Sequence, residues 1–316
     1  MLKVGLVGVG GISGAHIPAW ENRADAELVA LCDIRTERME RFENTDKRLY
    51  TDLDEMLANE ELDILDICLP TYLHAEVAIK AMDMGINVVT EKPISLKKED
   101  VERVYAAAER NNVKFMVAQV LRFWPEYELL KEIYDSKRYG KLLSGTMTRL
   151  GCYPRWSWDG WMMEEKRSGL VPFDLHIHDL DYMVYAFGKP TVAHKFRSKL
   201  PDQDFMSITY NYGDFFINTE ASWYATSYPF TAEFRFQFED AVVANENGKM
   251  IIYLRDDEKI DLSQDAEGDT GAINLPKSDA YANELNYFAD CVVNNTPVEK
   301  MSPDELECVL DIINNL

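Results

Sequence analysis

Long apolar runs are absent from this chain of 316 residues, and no stretch approaches the ~20 apolar residues that a membrane-spanning helix needs. The sequence enters a predicted strand with no basic, apolar leader before it, so we expect neither a membrane partner nor a signal peptide. Basic residues are outnumbered, because 33 Lys and Arg face 55 Asp and Glu and give a formal net charge of −22. Binding to a nucleic-acid backbone depends on clustered Lys and Arg, so this balance argues against such a partner.

Cysteine is sparse, and the five cysteines are scattered, mostly within apolar runs: Cys32, Cys68, Cys152, Cys291 and Cys308. An odd, dispersed set of this kind predicts reduced thiols in a cytoplasmic protein rather than a disulfide or metal framework. Internal repeats and low-complexity segments are also lacking, and the length leaves room for two domains.

A glycine turn near the start of the chain is the first positive signal. The apolar run Val4–Val7 leads into Gly8-Val9-Gly10, and a helix-compatible segment follows. Gly8 permits a sharp turn, and Gly10 lacks the Cβ that would hold a pyrophosphate away from the backbone at a helix N-terminus. Ser13 occupies the third glycine position of the usual pattern and is small enough for close helix–strand packing. Asp33 ends the next apolar strand, where an acidic residue can bind a ribose 2′-hydroxyl.

Strands and helices alternate from Met1 to about Val120, which predicts an α/β, doubly wound parallel sheet. Beyond Pro125 strands dominate, several with period-2 alternation, which predicts an α+β domain with a large open, mainly antiparallel sheet. The expected domains are residues 1–121 and 122–316, with the last helices packed back on the body. Three segments have more specific predictions: a charged helix at Thr36–Asn44, a helix at Phe173–Phe187 and a solvated acidic loop at Asp256–Asp269.

Lys92 follows a predicted parallel strand, within the run Thr90-Glu91-Lys92-Pro93. Open α/β sheets bind ligands beyond the carboxyl ends of their strands, where Lys92 is expected to lie. A lysine there can orient a hydroxyl group or transfer a proton if burial lowers its pKa. Taken alone, Glu-Lys-Pro is equally an ordinary surface turn.

Asp174 and His178 stand four residues apart on one face of the predicted helix, with Asp181 one turn further along. A carboxylate beside an imidazole orients the ring and raises its pKa, which suits a general acid or base near neutral pH. A half-buried structural histidine and an ordinary acidic helix face remain alternatives. A metal site is disfavoured, since His176 points about 200° away from Asp174 on a helix.

The segment 153–161 contains three of the six tryptophans, including Trp161. Aromatic side chains in a polar setting suit stacking on a sugar ring or a nicotinamide, and packing in a core or interface explains them equally well.

Together these stretches resemble the Gfo/Idh/MocA family (glucose–fructose oxidoreductase, inositol dehydrogenase and MocA). The matching motifs occur in family order and spacing: Gly8–His16, Cys32-Asp33, Pro70–His74, Glu91-Lys92-Pro93, Gln119–Phe123, Asp174–Asp179 and the helix at Tyr281–Leu285. The resemblance implies an NAD(P)-binding Rossmann domain at 1–121 and a C-terminal domain whose open sheet forms a homodimer or homotetramer. It also implies a nicotinamide cofactor held between the two domains.

The resemblance further implies a role for each matching residue. The cofactor-binding residues are expected to be Gly8, Gly10, Gly11, Ile12, Asp33, Ile34, Pro70, Thr71, His74, Glu91, Lys92 and Gln119. The catalytic residues are expected to be Lys92, Asp174 and His178, with His178 moving the hydroxyl proton and Lys92 polarising the oxygen. The looser substrate candidates are Arg122, Trp161, His176 and Tyr281, and no metal is implied.

Asp33 followed by Ile34 favours NAD over NADP, because a carboxylate repels a 2′-phosphate, although Arg35 and Arg38 lie close by. The run Ser168–Phe173 replaces the small residues with which the family usually enters the catalytic helix, so we expect a reshaped substrate entrance.

The expected activity is therefore NAD-dependent oxidation of a secondary ring hydroxyl on a sugar or cyclic polyol such as an inositol. Two alternatives remain. One is an NAD-dependent redox-cycling glycosidase or lyase, in which transient oxidation acidifies a ring proton before elimination. The other is a non-catalytic regulator that senses a sugar or cofactor, against which the presence of Lys92, Asp174 and His178 argues.

Overall fold

The computed structural model describes residues 1–263 and 279–316, which form two compact units. The first unit contains residues 1–120 and the described part of 269–307, and the second contains the described part of 121–268 and residues 308–316. The expected division after residue 121 lies one residue from the observed one.

The first unit is built on a parallel sheet whose strands alternate with helices. Its elements are β1 (Leu2–Val7), α1 (Ser13–Glu21), β2 (Ala26–Cys32), β3 (Arg48–Tyr50), α2 (Leu53–Asn59), β4 (Ile64–Ile67), α3 (His74–Asp83), β5 (Asn87–Glu91), α4 (Glu99–Asn111) and β6 (Phe115–Ala118). All strand pairs are parallel, in the order β3-β2-β1-β4-β5-β6. The predicted doubly wound sheet is confirmed, and its order reverses between β1 and β4, where such sheets bind ligands.

Local sequence explains most of these elements. β4 and β6 are buried at every position, as expected for strands covered on both faces. Asp52 caps α2 by accepting a hydrogen bond from the Glu55 backbone N–H at 2.9 Å. The helix predicted at Thr36–Asn44 is wrong, because the structure has two short 3₁₀ turns there. Met39 and Phe42 are the buried residues of this segment, which is too little apolar surface to stabilise an amphipathic α-helix.

The second unit is built on a larger sheet. Its elements are α5 (Pro125–Ser136), β7 (Leu142–Cys152), α6 (Glu165–Ser168), α7 (Ile177–Phe187), β8 (Thr191–Leu200), β9 (Gln203–Asn211), β10 (Phe216–Tyr224), β11 (Thr231–Phe238), β12 (Ala241–Glu246), β13 (Lys249–Leu254) and β14 (Lys259–Asp261). The strand order is β14-β13-β12-β11-β7-β10-β9-β8, with β7 and β10 parallel and the other pairs antiparallel. This confirms the predicted large, mainly antiparallel sheet.

Two details of this sheet bear on the predictions. Asn247 and Gly248, between β12 and β13, both have positive φ, at 54° and 70°, as a two-residue hairpin turn of Asn-Gly requires. The predicted loop at Asp256–Asp269 is wrong in part, because β14 pairs with β13 there. All three side chains of β14 are exposed, so no apolar pattern marks it. Residues 264–269 lie outside the described residues.

Two helices follow, α8 (Ala280–Val293) and α9 (Pro303–Asn314). α8 packs against α1 and lies in the first unit, although its residues fall within the predicted range 122–316. The physical reason is that α8 buries apolar residues against a helix that is more than 250 positions away in sequence. Within 1–263 and 279–316, no helix combines the length and the apolarity needed to cross a membrane.

Candidate functional site

The glycine turn lies between β1 and α1. Gly8 has a φ of +95°, and a Cβ there would lie 2.6 Å from the Cys68 carbonyl oxygen, so this position requires glycine. A Cβ added to Gly10 would meet no atom within 4 Å, which leaves the backbone open to a pyrophosphate. Ser13 is buried and donates from Oγ to the Gly10 carbonyl oxygen at 2.8 Å. Serine at the third glycine position therefore supports the turn. Gly11 and Ile12 complete the turn ahead of α1.

Asp33, at the end of β2, is bonded to this turn. Its Oδ2 accepts from the Val9 backbone N–H at 2.8 Å, and its Oδ1 accepts from the Arg35 backbone N–H at 2.9 Å. The Arg35 guanidinium also approaches Oδ1, with Nε at 3.3 Å. The neighbouring Ile34 side chain is 67% exposed. The open backbone at Gly10 and the adjacent carboxylate fit a dinucleotide, and the role of Asp33 as the ribose acceptor remains a prediction.

His74 connects the segments that follow β4 and β5. Its Nδ1 lies 2.7 Å from the Pro93 carbonyl oxygen, and its Nε2 lies 2.6 Å from the Leu69 carbonyl oxygen. Burial lowers the pKa of His74, and hydrogen bonds to these two carbonyls oppose that shift. Both ring nitrogens face backbone carbonyl oxygens, so the imidazole links the segment that contains Lys92 to the end of β4. Its expected place along the path of the cofactor remains a prediction.

Two further predicted regions lie after the strands β4 and β6. Pro70 precedes the 3₁₀ turn Thr71–Leu73, in which Thr71 is buried. Gln119 is buried directly after β6. Their roles in cofactor binding remain predictions.

Glu91 is the last residue of β5, and Lys92 follows it. Both adjoin a buried polar cluster that the sequence analysis missed. Glu91 Oε2 accepts from the Lys92 backbone N–H at 3.1 Å, and Oε1 lies 3.0 Å from His16 Nε2. On the other side of the ring, His16 Nδ1 lies 2.9 Å from Asp66 Oδ2, to which Trp20 Nε1 donates at 2.7 Å. The available signal was Asp66 itself, an acidic residue inside the otherwise apolar strand β4.

His16, Asp66 and Cys68 are the one group among the described residues close enough together to share a metal ion. Burial raises the pKa of Cys68 to about 12, followed by the charge of Asp66, so the thiol is protonated. Asp66 already accepts from His16 and Trp20, and the Cys68 thiol lies 3.7 Å from its Oδ1. The polar atoms satisfy one another, and we assign no metal to them.

In the second unit, Asp174 and His178 differ from the helix around them. From Ser168 to Val184, all of which the structure describes, these two alone among the seventeen residues are half-buried rather than buried. The residues 172–176 form a π-helical turn before α7, so the predicted continuous α-helix is wrong at its start. Periodicity over a single turn does not distinguish the two helix types. π-Turns are frequent at functional sites.

His176 is fully buried, which contradicts its predicted contact with substrate. Its Nε2 lies 2.6 Å from the Tyr210 hydroxyl, and the two rings stack with centroids 5.8 Å apart. Burial, followed by the charge of Arg149, lowers the pKa of His176 to about 3, so the imidazole is neutral. The side chain has no surface left for a substrate.

Arg122 is also buried, and its predicted substrate contact is contradicted. Its guanidinium binds Asp181 through two hydrogen bonds, at 2.8 and 2.6 Å, and lies 4.7 Å from the centre of the Tyr185 ring. Asp181 therefore pairs with Arg122 rather than extending the Asp174–His178 face. A buried pair of this kind is costly to break from one side.

Trp161 and Tyr281 remain predictions. Trp161 is half-buried in a short 3₁₀ segment, Trp158–Met163. Tyr281 begins α8 and lies with its ring centroid 6.1 Å from that of His16.

Comparison with known proteins gives two matches along the chain. A family model described as an oxidoreductase family with an NAD-binding Rossmann fold matches residues 2–119, and the GFO/IDH/MocA C-terminal domain matches residues 127–243. D-apiose dehydrogenase from Paraburkholderia graminis is 30% identical, over 60% of this chain and 50% of its own length. The 2,7-anhydro-N-acetylneuraminate hydratase of Mediterraneibacter gnavus is 30% identical, also over 60% of this chain and 50% of its own.

The matched region thus spans about half the length of these curated relatives. The solved structure of an oxidoreductase from Agrobacterium radiobacter with NAD⁺, L-tartaric acid and magnesium superimposes with a TM-score of 0.81 at 15% identity. That superposition covers 99% of this chain and 94% of the other, and it shows a shared fold. Both family domains, in the expected order and on the expected sheets, establish that the chain belongs to the Gfo/Idh/MocA oxidoreductase family and carries its NAD-binding Rossmann domain.

Proposed function

We propose that this chain is an NAD-dependent dehydrogenase that acts on a secondary hydroxyl of a sugar or cyclic polyol. The observation that carries the proposal is the pair Asp174 and His178, the two half-buried residues in the otherwise buried stretch from Ser168 to Val184. An imidazole and a carboxylate one turn apart form a proton-transfer pair. The relative named D-apiose dehydrogenase supports a sugar as substrate.

Each proposed catalytic residue has a separate task. His178 takes the hydroxyl proton, Asp174 stabilises the resulting imidazolium, and the Lys92 ammonium donates a hydrogen bond to the substrate oxygen. When bound, NAD⁺ would supply the hydride acceptor that turns the alcohol into a ketone, while His178 would hold the hydroxyl proton.

The test is the absorbance of reduced nicotinamide when the protein is mixed with NAD⁺ or NADP⁺ and a panel of inositols, aldoses and sugar phosphates. We expect a rise with NAD⁺ and one class of polyol or sugar. His178→Asn should lower kcat on the order of 10²–10⁴-fold and leave the Kd for NAD⁺ nearly unchanged. Glu109→Gln, at an exposed position on α4, is the control. Unchanged kcat in the His178 variant would contradict this role.

A second candidate activity is redox cycling without net oxidation, ending in elimination or hydration. The observation that favours it is the relative named as a hydratase. Substrate conversion without net NADH would support this activity, whereas saturable NAD⁺ binding without any conversion would support a sensing regulator.

We also propose that the large sheet forms a homodimer or homotetramer. β8 is a sheet edge whose ten residues are all exposed, and Phe196 and Leu200 are 73% and 58% exposed. Apolar side chains of this size on a free edge favour association.

A further inference from the structure

A row of buried polar groups crosses the interior of the first unit and ends at the catalytic lysine proposed above. It runs from the Trp20 indole through Asp66 and His16 to Glu91, and from Glu91 to the backbone N–H of Lys92. The His16 and Asp66 side chains have no solvent exposure, and the Glu91 side chain is 9% exposed. No step of the proposed reaction uses His16 or Asp66.

The geometry determines the charge of His16. Each ring nitrogen lies 2.9–3.0 Å from a carboxylate oxygen, Nδ1 from Asp66 and Nε2 from Glu91. Ionised carboxylates only accept hydrogen bonds, so both contacts are satisfied when both nitrogens carry protons. Burial opposes that charge, but the charge and hydrogen bond of Asp66 outweigh it and raise the pKa of His16 well above 6.5. The ring is therefore an imidazolium.

The His16 imidazolium also influences the ionisation of the Glu91 carboxyl. Burial raises the pKa of this carboxyl, but the hydrogen bond and charge of His16, helped by Lys92 and His74, lower it overall. An ionised Glu91 uses one oxygen for His16 and keeps the other for the Lys92 N–H. α8 brings the Tyr281 ring to 6.1 Å from the His16 ring and carries the buried Glu284.

We propose that His16 is a cationic positioning residue, which holds the Glu91 carboxylate ionised and fixed on the Lys92 backbone and so orders the end of β5 for nicotinamide-nucleotide binding. The inference rests on the proposed function only for the role of Lys92. The charge of His16 and its link to nucleotide affinity are independent of any substrate.

Removal of the charge has a specific consequence. Asp66 and Glu91 then flank a neutral side chain, and the rise that burial causes in the pKa of Glu91 is opposed by Lys92 without the imidazolium. A protonated Glu91 no longer accepts hydrogen bonds through both of its carboxylate oxygens. Nucleotide affinity should therefore become dependent on pH, which simple loss of packing would not cause.

The experiment measures NAD⁺ affinity by calorimetry from pH 6 to pH 9. The wild-type Kd should be nearly constant. His16→Gln should weaken binding by about tenfold at pH 7, and affinity should fall further as the pH falls. Trp20→Phe is the matched control, because it deletes a hydrogen bond to Asp66 without touching Glu91 and should leave the profile flat.

Ring ¹⁵N chemical shifts of the wild-type protein provide a second measurement that needs neither a variant nor NAD⁺. His16 should show imidazolium shifts at pH 7.5, and neutral-ring shifts there would overturn the proposal even if His16→Gln fails to fold. Wild-type affinity and a flat profile in folded His16→Gln would overturn it equally. Absence of NAD⁺ binding by the wild type would contradict the proposed function and leave the ring shifts to decide the charge.

Discussion

At the scale of single residues, buried partners decide which polar side chains can reach a ligand. His176 and Arg122 have the residue types of a substrate site, yet each is bound to a residue within its own unit. Asp174 and His178 lie in the same helical segment as His176 but remain partly exposed. Residue type and spacing therefore identified the candidate site residues, and burial distinguished the partly exposed residues from those that are bound to other residues in the interior.

Asp33 yields a prediction about cofactor choice. Asp33→Ser removes the carboxylate that accepts from Val9 and that is expected to bind the adenosine ribose, and it frees Arg35 from its ion pair. We expect the Kd for NAD⁺ to rise about tenfold or more, which corresponds to about 1.4 kcal/mol of binding free energy for each tenfold. The ratio of NADP⁺ to NAD⁺ affinity should rise as well, because the carboxylate that repels a 2′-phosphate is gone. Calorimetric titration with both nucleotides measures this. Glu37→Gln, at a nearby exposed position, is the control, and an unchanged ratio would rule out the role of Asp33.

At the scale of elements, the junctions between strands and helices depend on a few exact backbone positions. The Gly8 turn is required by both its φ and the Cys68 carbonyl, whereas the hairpin glycine Gly213 has a φ of +89° and no atom within 4 Å of an added Cβ. A comparison of Gly8 with Gly213 therefore distinguishes the cost of a positive φ from the cost of a steric clash.

Gly8→Ala is expected to destabilise the protein more than Gly213→Ala does. Gly213→Ala adds only the cost of a left-handed alanine, about 1–2 kcal/mol, while Gly8→Ala adds a contact at 2.6 Å that the backbone must relieve by moving. Urea unfolding of both variants measures the difference, and NAD⁺ affinity should fall in Gly8→Ala alone. Equal free energies of unfolding for the two variants would show that the Cys68 contact has no cost.

At the scale of the whole molecule, buried histidines with opposite pKa shifts make the free energy of unfolding depend on pH. The pKa of His16 is raised above 6.5, so its contribution is complete below pH 6.5 and is lost as the pH rises through the raised value. The pKa of His176 is lowered to about 3, so its contribution is present above pH 6.5 and is lost as the pH falls from there toward 3.

Stability is therefore expected to peak near neutral pH. Urea unfolding between pH 4 and pH 10 measures the profile, in 0.5 M NaCl so that repulsion arising from the net charge of −22 is screened. Asp66→Asn removes a charge that raises the pKa of His16, so the alkaline decline should be smaller and should end at a lower pH. An alkaline limb that is identical in wild type and Asp66→Asn would contradict the contribution of His16.

The proposed assembly through the large sheet is tested at the same scale. Phe196→Glu places a charge at the most exposed large apolar position of β8, and we expect it to reduce the mass measured by light scattering after size-exclusion chromatography. Lys195→Gln, the adjacent residue on the opposite face of the strand, is the control. A monomeric wild-type protein, or an unchanged mass for Phe196→Glu, would contradict assembly through this edge.

The sequence by itself determined the elements and their order. Local features suffice there: apolar strands, the Gly8 turn, the Asp52 cap and hairpin glycines act over a few residues, and motifs in a fixed order identified the family. β14 and the π-turn escaped prediction because a short, exposed strand has no apolar pattern and one turn carries too little periodicity.

Only the tertiary structure decided which polar residues are buried against one another. His16 meets Asp66 and Glu91 across 50 and 75 positions, Arg122 meets Asp181 across 59, and α8 joins the first unit from the far end of the chain. No local pattern encodes such pairs, because the free energy of a buried charge depends on the partner that the fold places beside it. The charge of His16 and the burial of His176 and Arg122 are therefore properties of the folded chain.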